Sequence, residues 1–229
     1  MTFAPVETPA RAPGPVGILF GISLAIAVTL AGPLLLFNPW LTSALQARHG
    51  VAAALDTSQA EVDRVTGEIL GDLYVNGPFD ASLTSGEPLL DERERSHMAD
   101  VSRLVQLLAG IVVVALVIAS VMGSWLRHER RRQGRIMLTA AGLIGALAIL
   151  LAGIFVVAFE PAFLAFHAIF FPPGTYLFSE GSRLIVLFPQ GFWFDASIVA
   201  GAAIVVTALV VTVIGFARWR DGSQPSSEA

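Results

Sequence analysis

The chain has 229 residues, is 55% hydrophobic and only 14% charged, and carries a formal net charge of −4. Soluble domains run nearer a quarter charged, so this is the composition of a membrane protein, and the acidic balance gives no reason to expect a nucleic-acid partner. It has no cysteine, which excludes disulfides, thiolate metal ligands, iron–sulfur clusters and a cysteine nucleophile; all fourteen basic residues are arginine, which excludes lysine Schiff bases and Ser–Lys dyads.

Residues 1–15 read as a short tail in which Arg11 is opposed by Glu7. The apolar run 16–37 follows, with 22 residues and no ionisable side chain. It is too long for the apolar part of a signal peptide, and Thr42-Ser43-Ala44 makes a weak cleavage site, so it reads as a first transmembrane helix.

Segment 38–103 opens with Asn38-Pro39-Trp40, a tryptophan placed where its amphipathic ring favours the membrane–water interface. Ser58 and Glu61 have capping-box spacing, and Val62, Val65, Ile69, Leu70 and Leu73 then recur on one helical face. That helix is expected to end near Gly71 or at Gly77-Pro78. From Asp91 the sequence runs without Gly or Pro into the apolar run 104–126, so one continuous helix is expected over 91–126, its acidic first turn suiting the positive end of the helix dipole. Loop 127–135 holds five arginines in nine residues; the run 136–159 is the third span.

Segment 160–195 is dense in aromatics and is expected to lie half-buried at the membrane surface, with a short hairpin formed by residues 176–188 around Ser179-Glu180-Gly181-Ser182 and Arg183 at its base. The run 196–217 is the fourth span, and tail 218–229 adds Arg218 and Arg220. The arginines place loop 127–135 and both termini in the cytoplasm. Segment 38–103 has five arginines against eleven Asp and Glu, net −6, and is assigned with 160–195 to the outer side. The fold class is therefore an all-α membrane protein with four transmembrane helices and a small α+β extracytoplasmic cap. No span contains an ionisable residue, which argues against a transporter or channel and puts any chemistry at the outer surface.

Four histidines are present. His128 lies in the arginine loop and His49 beside Gly50, and both read as incidental. His97 sits seven residues before Leu104, roughly 10 Å along a helix axis, which is headgroup height where lipid esters lie. Asp100 follows three positions on, in reach to orient that ring. His167 is set among Phe163, Phe166, Phe170 and Phe171. Two histidines without Cys or Lys fit three chemistries: acid–base catalysis, a Ser–His hydrolase using Ser96, Ser179 or Ser182, or a metal site with Asp100 or Glu94. Neither a Gly-x-Ser-x-Gly elbow nor a His-Glu-x-x-His motif is present, so the second and third are weaker.

The motifs Glu92-Arg-Glu-Arg-Ser-His97-Met-Ala-Asp100-Val101, Phe166-His167-Ala-Ile-Phe170-Phe171, Tyr176-Leu177, Arg183-Leu184-Ile185 and Leu187-Phe188-Pro189-Gln-Gly-Phe192, in this order against the four spans, resemble the lipoprotein intramolecular transacylase (Lit) family. Residues 41–90 carry no motif of that family. The resemblance implies an O-to-N acyltransferase at the outer face of the bacterial cytoplasmic membrane. Its substrate would be a diacylated lipoprotein, one acyl chain of which moves from the glyceryl ester to the N-terminal cysteine amine. It also implies His97 and His167 as the catalytic pair. Asp100 would orient His97, with Ser96 and Arg103 beside it. Tyr176 and Arg183 are candidates to bind the headgroup or the oxyanion, Arg183 otherwise pairing with Glu180 or Glu160. Membrane lipids and the lipoprotein are the expected partners, and no cofactor or metal is expected. The alternative to an enzyme is a membrane scaffold or lipid-binding accessory protein.

Overall fold

A computed structural model describes residues 14–222. The N-terminal tail up to residue 13 and the end of the C-terminal tail from residue 223 lie outside the described residues.

Helix α1, Pro15–Leu34, begins with a proline at its first position, where the missing N–H costs nothing. Pro33 loosens its last turn into a 3₁₀ segment, Leu35–Phe37. Asn38 then caps α2, Pro39–Arg48, its side chain accepting hydrogen bonds from the Trp40 and Leu41 amides at 3.0 and 3.3 Å. After the one-turn α3, Val51–Ala54, comes α4, Gln59–Val75, with Ser58 as its cap. The apolar face of α4, Val62, Val65, Ile69, Leu70 and Leu73, is buried along its whole length. The helix runs past Gly71 and stops at Asn76, which adopts the left-handed conformation just before Gly77-Pro78.

Helix α5, Glu92–Trp125, is continuous through 34 residues. At 1.5 Å per residue it is about 50 Å long, well beyond a hydrocarbon core of about 30 Å, so its polar start, 92–103, projects past the apolar stretch. Asp91 and Glu94 form a capping box at that projecting end. Helix α6, Arg130–Val157, returns, and α7, Phe159–Phe170, follows after a break at Ala158. At 12 residues, α7 is too short to cross. The one-turn α8, Arg183–Leu187, and the long α9, Gln190–Asp221, follow. Among the described residues, helices α1, α5, α6 and α9 are the four long and apolar enough to span a membrane.

Helix α1 is the hub of the bundle, packing on α5, α6 and α9, while α6 and α9 pair along most of their length. Small residues permit the close approaches: a Cβ on Gly32 of α1 would come within 2.9 Å of the Ala200 carbonyl oxygen of α9, and one on Gly215 of α9 within 2.9 Å of the Met137 Cβ of α6. At the arginine-rich end Gln133 is buried, donating to the Gly123 carbonyl at 3.0 Å and accepting from Arg218 at 2.8 Å, which joins α5, α6 and α9. At the other end a second core forms between the α4 face, Phe79, Leu89, Leu90, Met98 of α5, and Leu184, Leu187, Phe188 and Phe192 around α8 and the start of α9. Buried Gln46 ties α2 into it, donating to Thr66 and to the Leu187 carbonyl, both at 3.1 Å.

The cap differs from the expected α+β layer. Among the described residues there is no strand, only an isolated antiparallel bridge between Ser82 and Pro88. The expected hairpin over 176–188 is a loop leading into α8. Ser182 caps that helix, and an apolar run of five residues does not by itself separate strand from helix.

Candidate active site

The two histidines meet at the capped end of the bundle. His97 lies one turn after Glu94 on the projecting part of α5, and His167 lies on the last turn of α7. Their ring centroids are 6.1 Å apart with the planes inclined by 24°. Phe171 and Phe178 meet the His97 ring edge-on at 4.9 and 5.5 Å, and Phe163 and Tyr176 lie 4.2 and 5.4 Å from the His167 ring. Aromatic carbon thus packs on both rings, with the Tyr176 phenol ring beside His167. His97 is 6% exposed; His167 is half-buried.

The two rings differ in their hydrogen bonding. Nδ1 of His167 lies 2.8 Å from the Phe163 carbonyl, which only accepts, so Nδ1 carries the proton and the neutral ring has its lone pair on Nε2. Nδ1 of His97 is buried and has no hydrogen-bonding partner in the structure. Burial holds the His97 imidazole far toward its neutral form, at about 4 against an ordinary 6.5; the neighbouring His167 pushes the same way and the Asp100 charge pulls back. Burial also lowers His167, opposed by its bond to Phe163.

Asp100 does not orient His97. Its carboxylate is held by Arg103, one turn on, in an ion pair at the helix surface. Arg103 is exposed, as is Ser96. Arg183 donates to Glu87 at 2.5 Å, rather than to Glu180 or Glu160. Tyr176 is the one supporting candidate whose ring packs on a histidine. None of Ser96, Ser179 and Ser182 hydrogen-bonds to either imidazole, and among the described residues no third His, Asp or Glu joins them in a metal-ligand cluster. The arrangement sets a ring with its lone pair on Nε2 beside a second, buried imidazole, groups that can accept and donate protons. His49, read as incidental, bonds Asp195 at 2.9 Å beside Arg48, fastening α2 to α9. A surface cavity of about 240 Å³ lies apart from the histidines, lined by Trp40, Ser43, Gln46 and Asp63 among others.

Sequence reasoning missed Glu94 in the role the structure gives it. Its side chain is 2% exposed and accepts from the Asp91 amide at 2.8 Å, from the Leu184 amide at 3.0 Å and from the Ser182 hydroxyl. In sequence it reads as an acidic first-turn residue and, more weakly, as a metal-ligand candidate. The spacing to Asp91 signals the capping box, but nothing signals the second attachment, which is 90 residues away.

The family described as "Lipoprotein intramolecular transacylase Lit" matches residues 16–193. An uncharacterized protein from Aquifex aeolicus is 29% identical over 119 residues, which is 52% of this chain and 52% of that relative, so the match spans about half the relative's length. The membrane integral lipoprotein intramolecular transacylase Lit from Bacillus cereus has a similar structure: TM-score 0.74 at 18% identity, covering 90% of this chain and 94% of that one. A variant of that protein with one histidine replaced by arginine superposes with TM-score 0.72 at 17% identity, covering 90% and 91%.

Proposed function

The chain belongs to the lipoprotein intramolecular transacylase family, and from that premise we propose that it moves one acyl chain within a diacylated lipoprotein, from the glyceryl ester to the amine of the N-terminal cysteine. The site would face the outer leaflet of the bacterial cytoplasmic membrane, with the arginine-rich loop and both termini inside. The observation that carries the reading is the convergence of His97 and His167 within 6.1 Å, on the polar extension of a spanning helix and on a short apolar helix beside it.

The reaction is ester aminolysis. The amine nitrogen attacks the ester carbonyl carbon, the carbonyl oxygen gains negative charge, and collapse breaks the bond to the glyceryl oxygen, which leaves as a hydroxyl. One proton must leave the amine and one must reach the glyceryl oxygen. His167, with its lone pair on Nε2 and its ring fixed through Nδ1, is suited to take the first and return it as the second. His97, kept neutral by burial, is suited to donate an N–H to the oxyanion, where a fixed dipole in a dry site acts strongly. Donor ester and acceptor amine belong to one molecule, so positioning supplies part of the rate; effective molarities in such reactions reach about 10⁵ M and above. Neither an acyl-enzyme nor a cofactor is needed, which suits a chain without Cys or Lys.

Expressing the chain in bacteria whose lipoproteins carry only free-amine diacyl termini tests the proposal. Transfer leaves the total mass unchanged but should convert the N-terminal fragment to one bearing an acyl chain and remove its reactivity toward amine reagents. Unchanged fragments from cells in which the protein is present in the membrane would contradict it.

A further inference from the structure

The wall of the histidine site is a loop with little structure of its own. Residues 171–182 carry Phe171, Tyr176 and Phe178, three of the rings packed on the histidines. The loop's internal bonds are local turns at its two ends, Thr175 to the Pro172 carbonyl and Ser182 to the Ser179 carbonyl. It is held from outside by two consecutive residues of α5. The Arg93 guanidinium donates to the Gly174 and Leu177 carbonyls at 3.2 Å each and lies over the Phe178 ring at 5.6 Å. The buried Glu94 carboxylate accepts from Ser182 and Leu184 where the loop enters α8. Arg93 and Glu94 stand four and three residues before His97, so both project from the side of α5 that carries it.

We infer that Arg93 and Glu94 form a clamp that sets the loop 171–182 against α5, and that this clamp keeps His97 enclosed and the two imidazoles in register. Both are positioning residues: they touch the loop and the start of α8, not the reacting atoms. The clamp joins two unlike anchors. Glu94 is buried and accepts from two backbone amides and a hydroxyl, whereas Arg93 is exposed and grips two carbonyls by a single guanidinium nitrogen. The Glu94 end is therefore the fixed hinge of the loop and the Arg93 end the one that releases first. The consequence for catalysis rests on the proposed acyl transfer; the enclosure of His97 does not.

Histidine accessibility tests it on the full-length protein in detergent. Diethyl pyrocarbonate acylates neutral imidazoles, and peptide mass spectrometry resolves the rate at each of the four histidines, with exposed His128 as the internal reference. Arg93→Ala should raise labelling of His97 several-fold relative to His128, Ser182→Ala less so, and the pair together most, all at temperatures well below unfolding. Arg93→Lys, which keeps the charge but not the planar group spanning two carbonyls and a ring, should leave labelling nearly as high as Arg93→Ala. Unchanged His97 labelling in folded Arg93→Ala/Ser182→Ala protein would overturn the clamp, as would increases seen only on approach to the melting temperature. Glu94→Ala is the less useful variant because it strands buried donors and risks unfolding. Should labelling rise while no acyl transfer is found even in the wild type, the clamp stands and the proposed function falls.

Discussion

His97 is the more buried of the two imidazoles at the candidate site, and its environment has consequences that acid titration can reach. An unfolded histidine titrates near 6.5 and the folded His97 near 4. Between those values the unfolded chain binds more protons than the fold, so stability rises with pH across the window; it is complete above about 6.5 and is lost as pH falls toward 4. Replacing the ring by phenylalanine should flatten that part of the profile. The check is the melting temperature of wild type and His97→Phe across this range, and parallel curves would contradict the buried neutral ring. Asp100 makes a second residue-scale case. Its i+3 spacing from His97 suggested an orienting partner, but the same spacing places Arg103 equally near on the other side, and the exposed guanidinium wins the carboxylate. Asp100→Asn should therefore lower turnover less than ten-fold, against losses of about 10²–10⁴ for a proton-transferring histidine. Parallel rate measurements on Asp100→Asn and His167→Ala decide it.

At the scale of elements, legibility tracked the length of the signal. The α4 face repeats through more than three turns, and every predicted position is buried. The stretch 91–126 has no proline, and no glycine before Gly110, and α5 is unbroken. The region around α8 offered a short apolar run and a serine, and the Leu184 amide in its first turn is bonded by Glu94 of another element, which no local pattern reveals. Helix crossings are similarly hidden: Gly142 and Gly215 look alike in sequence, yet Gly142 faces open space and Gly215 abuts Met137 and the Gly134 carbonyl. Gly215→Ala should destabilise the bundle by about 1–3 kcal/mol through overpacking. Gly142→Ala should be neutral or stabilise by up to about 1 kcal/mol through helix propensity. Opposite signs in thermal unfolding are the expected outcome.

The whole molecule places a buried histidine against a peripheral one. α5 seats His97 in the capped core through Glu94, Met98 and Ser102, all buried, whereas α6 buries nothing beyond Ala148 and α7 buries nothing at all. The sequence located both histidines at one end of the spans; that they face each other depends on α7 folding across toward α5 after the break at Ala158, a tertiary fact with no local signature. If transfer is intramolecular, a mixture of two lipoproteins with differently labelled acyl chains should give products with no crossover, and scrambled labels would point to a free acyl intermediate. Acyl transfer on this account needs both imidazoles, one to move the proton and one to hold the oxyanion. The measurement that tests it most directly is the acyl-transfer rate of purified protein in His97→Ala, His167→Ala and the double variant. Each single variant should lose about 10²–10⁴-fold, and the double variant at least as much as either. Near wild-type turnover in either single variant would contradict it.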